Sequence, residues 1–463
     1  MAQAAAKFLT GSLFKHVSVM SLTASVGLVA IFLVDFIDMV FISMLGKAEL
    51  AAAVGYAGAI LFFTTSFSIG LAIAAGALVA RALGAGDEGL AARRTSTSLI
   101  YGVVFSALFA LAVWLNIRFF AEILGATGET LELTVHYLQI IVPSLPLLMI
   151  GMMGGAILRA HGDAKRAMMA TIYAGVVNAI LDPILIFGLD LELTGAAIAS
   201  VCARIAIAGT ALLPIIKYYG GLKAPSFNCL VEDLPPTLTI AFPAILTQLA
   251  TPVGQAYVTR AMAEFGEAAV AGMAIVSRLT PVAFGVIFAL SGAIGPIIGQ
   301  NFGAKNNARV EGAFWAGLTF TGLVVVGISL ALFGLRGPIV ALFDADGVTK
   351  ELVFLFCGPL ALLFFFNGVL FVANAAFNNL GHPFYSTWIN WGRHTVGTIP
   401  MVALFAWMFG APGVLIGQAL GGVLFGTLAF FLARNVIRNG RTPEDEDPFA
   451  RQARLLSLLN LRR

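Results

Sequence analysis

The sequence predicts an all-α membrane protein: twelve transmembrane helices in two six-helix lobes related by a pseudo-two-fold axis along the membrane normal. Three observations predict it. The chain is 59% apolar and only 11% charged, with a mean hydropathy of +0.94, whereas charged residues make up about a quarter of an ordinary soluble domain. Apolar stretches of about 20 residues, each long enough to cross a bilayer as a helix, recur from end to end, without the alternation that a β-barrel needs. The chain also repeats itself. Gly84-Ala85 returns as Gly303-Ala304, Gly128 as Gly347 and Gly162 as Gly381, each 219 positions on. That period holds six helices, and an even number gives both halves the same orientation, as in transporters built from parallel repeats.

Taken in order, the helices of the first lobe (1–217) fall at 17–44, 51–80, 96–119, 134–157, 165–188 and 193–217. Those of the second lobe (236–438) fall at 236–261, 268–299, 311–334, 351–379, 384–409 and 412–435. Polar punctuation separates them: Gly84-Ala85-Gly86-Asp87 after the second, His161-Gly162-Asp163 after the fourth, Asn306-Asn307 after the eighth and Gly381-His382-Pro383 after the tenth. The stretch 218–235, where Pro, Lys, Asn and Glu-Asp cluster, reads as a cytoplasmic linker. The tail 439–463 is polar and then amphipathic through Phe449, Leu455, Leu456, Leu458 and Leu459, a pattern suited to lying on the membrane surface.

Orientation follows from the cations. Of 27 Lys and Arg, 19 lie at the termini or in the even-numbered connections and 5 on the opposite side; Arg204, Arg278 and Arg393 are inside helices. Both termini are therefore expected in the cytoplasm of a multi-pass inner-membrane protein. The first apolar run is too long for a cleavable signal. Cys202, Cys229 and Cys357 have neither paired nor metal-ligand spacing and read as small apolar filler. With no P-loop and no Cys/His constellation, an ATP-driven pump and a metalloenzyme are not expected. Nor is any cofactor or nucleic-acid partner.

The chemistry lies in the acids at membrane depth. An ionisable side chain there is costly and marks a functional site by default. Asp38 stands eight residues before Gly46, Asp182 eight before Asp190, and Ser200 eight after Glu192. At 1.5 Å per residue all three lie about 12 Å below the outer surface. Asn178 is one turn from Asp182, and Asp35 one turn from Asp38. Pro183 frees a backbone carbonyl of the helix before it. Carboxylates, an amide oxygen, a hydroxyl and a carbonyl suit Na⁺, held by Asp38, Asn178, Asp182 and Ser200; the same carboxylates, close together, could carry a proton instead. Alternatively Arg204, one turn from Ser200, neutralises the acids, or they face a water-filled cleft.

The second lobe has neutral polar groups instead: Gln248, Thr251, Gln255, Asn367, Asn374, Asn378 and Asn390. Of these, Gln248, Gln255, Asn374 and Asn378, with Met152 from the first lobe, are candidate substrate contacts. The competing reading is polar glue between helices. Phe364-Phe365-Phe366 and Met149, Met152 and Met153 could line an aromatic pocket, but packing is the plainer role.

These residues resemble the MATE (multidrug and toxic compound extrusion) transporters over nearly the whole chain. The resemblance is carried by Val34-Asp35-Phe36-Ile37-Asp38-Met39-Val40-Phe41-Ile42 followed by Leu45-Gly46, by Gly84-Ala85-Gly86, and by Ile157-Leu158-Arg159-Ala160-His161-Gly162-Asp163. Its most specific run is Asn178-Ala179-Ile180-Leu181-Asp182-Pro183 with Phe187-Gly188; Gly195-Ala196-Ala197-Ile198-Ala199-Ser200 opens the sixth helix. The resemblance implies export of organic cations in exchange for Na⁺ or H⁺. By position it puts the first-helix acid on Asp38, the fifth-helix pair on Asn178 and Asp182, and the sixth-helix hydroxyl on Ser200. Asp35 is an extra acid, Thr23 stands near the usual first-helix proline, and Met152 or a neighbour replaces a fourth-helix asparagine. The second lobe has no acid at the repeat-equivalent depths, a pattern that looks closer to the DinF-like branch. The expected protein is a monomeric antiporter in contact with membrane lipids and not an enzyme. The rival readings are a lipid-linked saccharide flippase, which needs a basic cavity, and a membrane-embedded transferase using Asp35 and Asp38 for Mg²⁺.

Overall fold

The computed structural model describes residues 6–439 other than 221 and 223, and within these the side chains other than those of 35, 36, 43 and 48. The first lobe consists of α1 (Leu13–Met44), α2 (Ala48–Gly84), α3 (Glu88–Leu115), α4 (Gly128–Ala160), α5 (Ala164–Gly188) and α6 (Glu192–Tyr218). The second begins with α7 (Phe227–Ala263), followed by α8 in two pieces (Glu267–Ala283 and Gly285–Gly303) and α9 (Asn307–Leu342). After α10 (Gly347–Leu363 and Phe365–Asn379, bent by 43°) come α11 in three stretches (Pro383–Gly392, Arg393–Gly397 and Thr398–Phe409) and α12 (Ala411–Asn439). Ten of these helices are long and apolar enough to cross a membrane, or eleven with the bent α10 taken as one. Among the described residues there is no strand.

The polar punctuation works as helix caps. Asp87, Asp163 and Asn306 each accept a hydrogen bond from the backbone N–H three residues on, starting α3, α5 and α9. Gly162 and Gly381, repeat partners in the sequence, take φ of +78° and +86° in equivalent turns, a region where a Cβ is strained.

Three differences from the expected segments have physical causes. Helix α7 begins at Phe227, so half of the stretch read as a linker is the start of that helix. Ser226 caps it, and Arg93 on α3 grips the buried Asp233, with nitrogen–oxygen distances of 2.7 and 3.2 Å, making that polar stretch an ion-paired helical turn. The eighth segment is broken at Phe284 (φ −100°, ψ 19°), just after Pro281 removes a helix donor. The tenth and eleventh carry π turns at Phe356–Leu360 and Arg393–Gly397. The tail 440–463, read as a surface amphipath, lies outside the described residues.

The lobes meet at one end, through α1 and α2 against the inner piece of α8, and α2 against α7. There the backbones touch. A methyl built on Gly84 would lie 1.9 Å from the Gln300 carbonyl oxygen, and one on Gly303 would lie 2.0 Å from that of Arg81. Crossed hydrogen bonds flank this contact: Arg81 donates to the Asn378 carbonyl at 2.9 Å and Gln300 to the Ala160 carbonyl at 2.7 Å. Toward the other end lies a wide, shallow depression of about 740 Å³ along α7, lined by Thr251, Gln255 and Thr259 and, from α2, by Phe62. The molecule is thus closed at the end that carries its N-terminus and open at the other.

Candidate functional site

Three helices of the first lobe bring the predicted groups together. Asp182, on the last regular turn of α5, is fully buried, and Pro183 behind it ends that geometry in a π turn over Ile184–Gly188. Asn178 is one turn earlier on the same face, and its Nδ2 donates to Asp182 Oδ2 at 3.1 Å. The Asp38 carboxyl of α1 comes within hydrogen-bonding reach of Asp182. One oxygen of each, Asp38 Oδ1 and Asp182 Oδ1, is buried without a protein hydrogen-bond partner. Two carboxylates this close cannot both stay bare in a desolvated pocket; a proton or a metal cation between them satisfies the pair.

Around the pair the site extends to a residue the sequence reading did not single out. Tyr137 of α4 is buried beside Ser200 of α6 and near both acids. Nine residues separate it from Gly128 at the outer end of α4. By helix rise that is about 13 Å, the depth shared by Asp38, Asp182 and Ser200. The depth argument would have found it had neutral hydroxyls on α4 been included.

Arg204 is not the counter-charge of the acids. Its Nη1 donates to the Ile141 carbonyl and to Ser144 Oγ, both at 3.0 Å, where α4 tightens into a 3₁₀ turn at Pro143. It caps a helix break. The Asp35 side chain lies outside the described residues.

In the second lobe the candidate substrate contacts are engaged between helices. Asn390 donates to Asn374 at 3.2 Å, Ser386 to Asn378 at 3.4 Å, and Gln418 to Gln255 at 3.3 Å. Gln255 also lines the depression along α7. Gln248 and Met152 are half-buried, whereas Met149 and Met153 are core. Phe364 stacks on Phe284 at 4.0 Å, so part of the phenylalanine run is packing. Among the described residues no three His, Cys, Asp or Glu side chains form a metal cluster, so an ion at the acid pair draws on amide and hydroxyl oxygens as well.

With this geometry in hand, the chain can be set beside known proteins. The MatE family model matches residues 24–184 and 243–404, one stretch in each lobe. The chain is 28% identical over 424 residues to a FAD transporter of Shewanella oneidensis, an alignment covering 90% of this chain and 93% of that one. It is 26% identical over 407 residues to the multidrug export protein MepA of Staphylococcus aureus, covering 87% and 89%. Among solved structures, the Vibrio cholerae MATE transporter VcmN superposes with a TM-score of 0.87 at 24% identity, over 92% of this chain and 97% of that one. A Pyrococcus furiosus transporter of the MOP superfamily, described as having a binding pocket of reversed polarity, gives 0.86 at 22% identity, over 94% and 98%.

Proposed function

The chain belongs to the MatE family, a family of membrane transporters, and from that premise we propose that it is a secondary active exporter that exchanges amphipathic small molecules, organic cations among them, for Na⁺ or H⁺. One observation carries the reading. Carboxyls from two different helices, Asp38 and Asp182, meet in a buried pocket with an oxygen of each left unpartnered. A group of that kind gains free energy when a cation or proton arrives.

The cycle follows from differential binding. With the pair deprotonated, cargo occupies the space between the lobes. Cargo leaves from the open state. Na⁺ or H⁺ then enters between Asp38 and Asp182, with Asn178 and Ser200 as further ligands. Neutralising the pair lowers the cost of closing the cleft over it, so the ion returns inward as the lobes rock. The basic closed end faces the cytoplasm, and the open end faces outward across the inner membrane. Relatives and structural neighbours alike are transporters rather than enzymes, which disfavours the transferase reading. The chain acts as a monomer among membrane lipids.

The test is transport of a fluorescent organic cation in proteoliposomes under imposed Na⁺ and pH gradients, applied separately, with wild type beside Asp182→Asn. One gradient should drive uptake or efflux in wild type, naming the ion, and the variant should lose at least 90% of it, since the loss of one ligand charge removes well over 1.4 kcal/mol of ion affinity, a factor of about ten. Movement driven by neither gradient, or a fully active variant, would overturn the reading. A flavin dinucleotide is the second cargo to assay, because the Shewanella relative of nearly equal length is a FAD transporter.

A further inference from the structure

One cation between the lobes takes no part in the acid site. Arg159 is the penultimate residue of α4. A helical side chain leans toward the N-terminus of its helix, so this one reaches back along α4, away from the closed end. Its guanidinium lies between two glycines from the two lobes. A methyl on Gly155 would sit 3.4 Å from Arg159 Nη1, and one on Gly292 of α8 3.8 Å from Nε. Gly292 is two turns above Gln300, whose backbone forms the closed contact, and both Gly292 and its neighbour Ser291 are exposed. The guanidinium therefore stands where the lobes begin to part.

Among the described residues no carboxylate pairs with it. Among the described residues the ion pairs use Lys47, Arg93, Arg94, Arg118 and Arg166 as cations. Two further arginines are engaged by oxygens: Arg204 by Ile141 and Ser144, Arg309 by the carbonyls of Phe8 and Gly11. Arg278, exposed on the outer piece of α8, is the one cation of that helix. An uncompensated, half-buried guanidinium between packed helices is costly, and two glycines keep the space beside it empty of side chains.

We infer that Arg159 is the anion-recognition group of the cleft, and that the cargo includes amphipathic molecules bearing a carboxylate or phosphate. A planar guanidinium pairs with either group through two parallel hydrogen bonds. Its site is distinct from the Asp38–Asp182 pair, so anionic or zwitterionic cargo and the coupling ion do not compete for one ligand set. Loss of the pair disables coupling, and loss of Arg159 changes which cargo is accepted. The assignment rests on the exporter reading for what the cleft carries, but it can be tested by binding alone.

The probes are a fluorescent piperazinyl quinolone carboxylic acid and its methyl ester, which differ by one negative charge. Binding of each is measured to purified wild type, Arg159→Gln, Arg159→Lys and Asp182→Asn in neutral detergent, using monodisperse preparations. Wild type should bind the acid about tenfold more tightly than the ester, the worth of one charge-assisted pair. Arg159→Gln should bring that ratio to about one without weakening the ester more than twofold; Arg159→Lys should keep part of it, and Asp182→Asn all of it. A wild type that binds neither probe, or binds both equally, overturns the assignment, as does a ratio that survives in Arg159→Gln. Competition of anionic phospholipid against the acid but not the ester would assign Arg159 to a lipid headgroup and overturn the cargo reading. Failure of Asp182→Asn to alter gradient-driven transport would count against the exporter mechanism and leave this ratio untouched.

Discussion

At the scale of single residues, the acid pair depends on its neighbours. Asn178 supplies the hydrogen bond that holds Asp182 Oδ2. Asn178→Ala should leave that oxygen with no donor and let the carboxyl turn, weakening the coupling ion by about tenfold, in line with the 1.5–3 kcal/mol of a hydrogen bond to a charged group. The ion concentration for half-maximal efflux would report it; an unchanged value would mean that Asn178 only packs. Much of this site was legible from sequence, because three polar residues counted from three helix ends fell at one depth. Tyr137 was missed because a tyrosine in an apolar helix looks like core, and its position matters only through its neighbours on α1, α5 and α6. The partners of Arg204 were hidden for another reason. They are a backbone carbonyl and a serine freed where α4 changes pitch, and no pattern of side chains announces that.

At the scale of elements, the close approach of α2 and α8 is a glycine device. Gly84 and Gly303 are repeat partners, and each lies under the carbonyl of the other helix's preceding turn. Gly84→Ala puts a methyl into that carbonyl, so the two helices must separate by more than 1 Å. The closed end should then spend more time open. Spin labels placed on either side of it should show a longer, broader distance distribution than in wild type. An identical distribution would mean that the helices absorb the methyl by sliding. The helix spans themselves were readable from apolar length and polar punctuation, and the punctuating Asp87, Asp163 and Asn306 proved to be caps. The breaks were not readable. Pro214, Pro252 and Pro338 sit inside continuous helices, whereas the one at 281 precedes a break. A membrane helix tolerates proline where neighbours satisfy the freed carbonyl, so the outcome depends on packing that the local sequence does not contain.

At the scale of the whole molecule, the closed end is held by two clamps related by the same internal repeat. The segment before α1 crosses to the second lobe. Phe8 is buried there, its N–H donates to Gln300 Oε1 at 2.9 Å, and Arg309 at the start of α9 holds its carbonyl at 2.8 Å. The first turns of α7 cross the other way, where Arg93 near the start of α3 holds Asp233. Helices α3 and α9 are equivalent in the two lobes, and so are the segments leading into α1 and α7. Each lobe therefore grips the leading segment of the other. The grip sits only at the closed end, so it must release before that end can open. Its strength then contributes to the barrier for the return step. Arg93→Gln leaves the buried Asp233 with Thr97 at 3.0 Å and Arg94 at 3.5 Å. It should therefore weaken the closed state by about 1–3 kcal/mol, less than the loss of a fully buried pair. Arg309→Gln removes hydrogen bonds to exposed or half-buried carbonyls and should cost about 1 kcal/mol. The two clamps share no partner, so the double variant should show the sum within about 0.5 kcal/mol. The populations of closed and open distances between spin labels at this end measure all three. If the single variants lower thermal stability while the ratio of populations stays at the wild-type value, the clamps stiffen the fold without gating it, and the barrier resides in the Gly84–Gly303 contact alone.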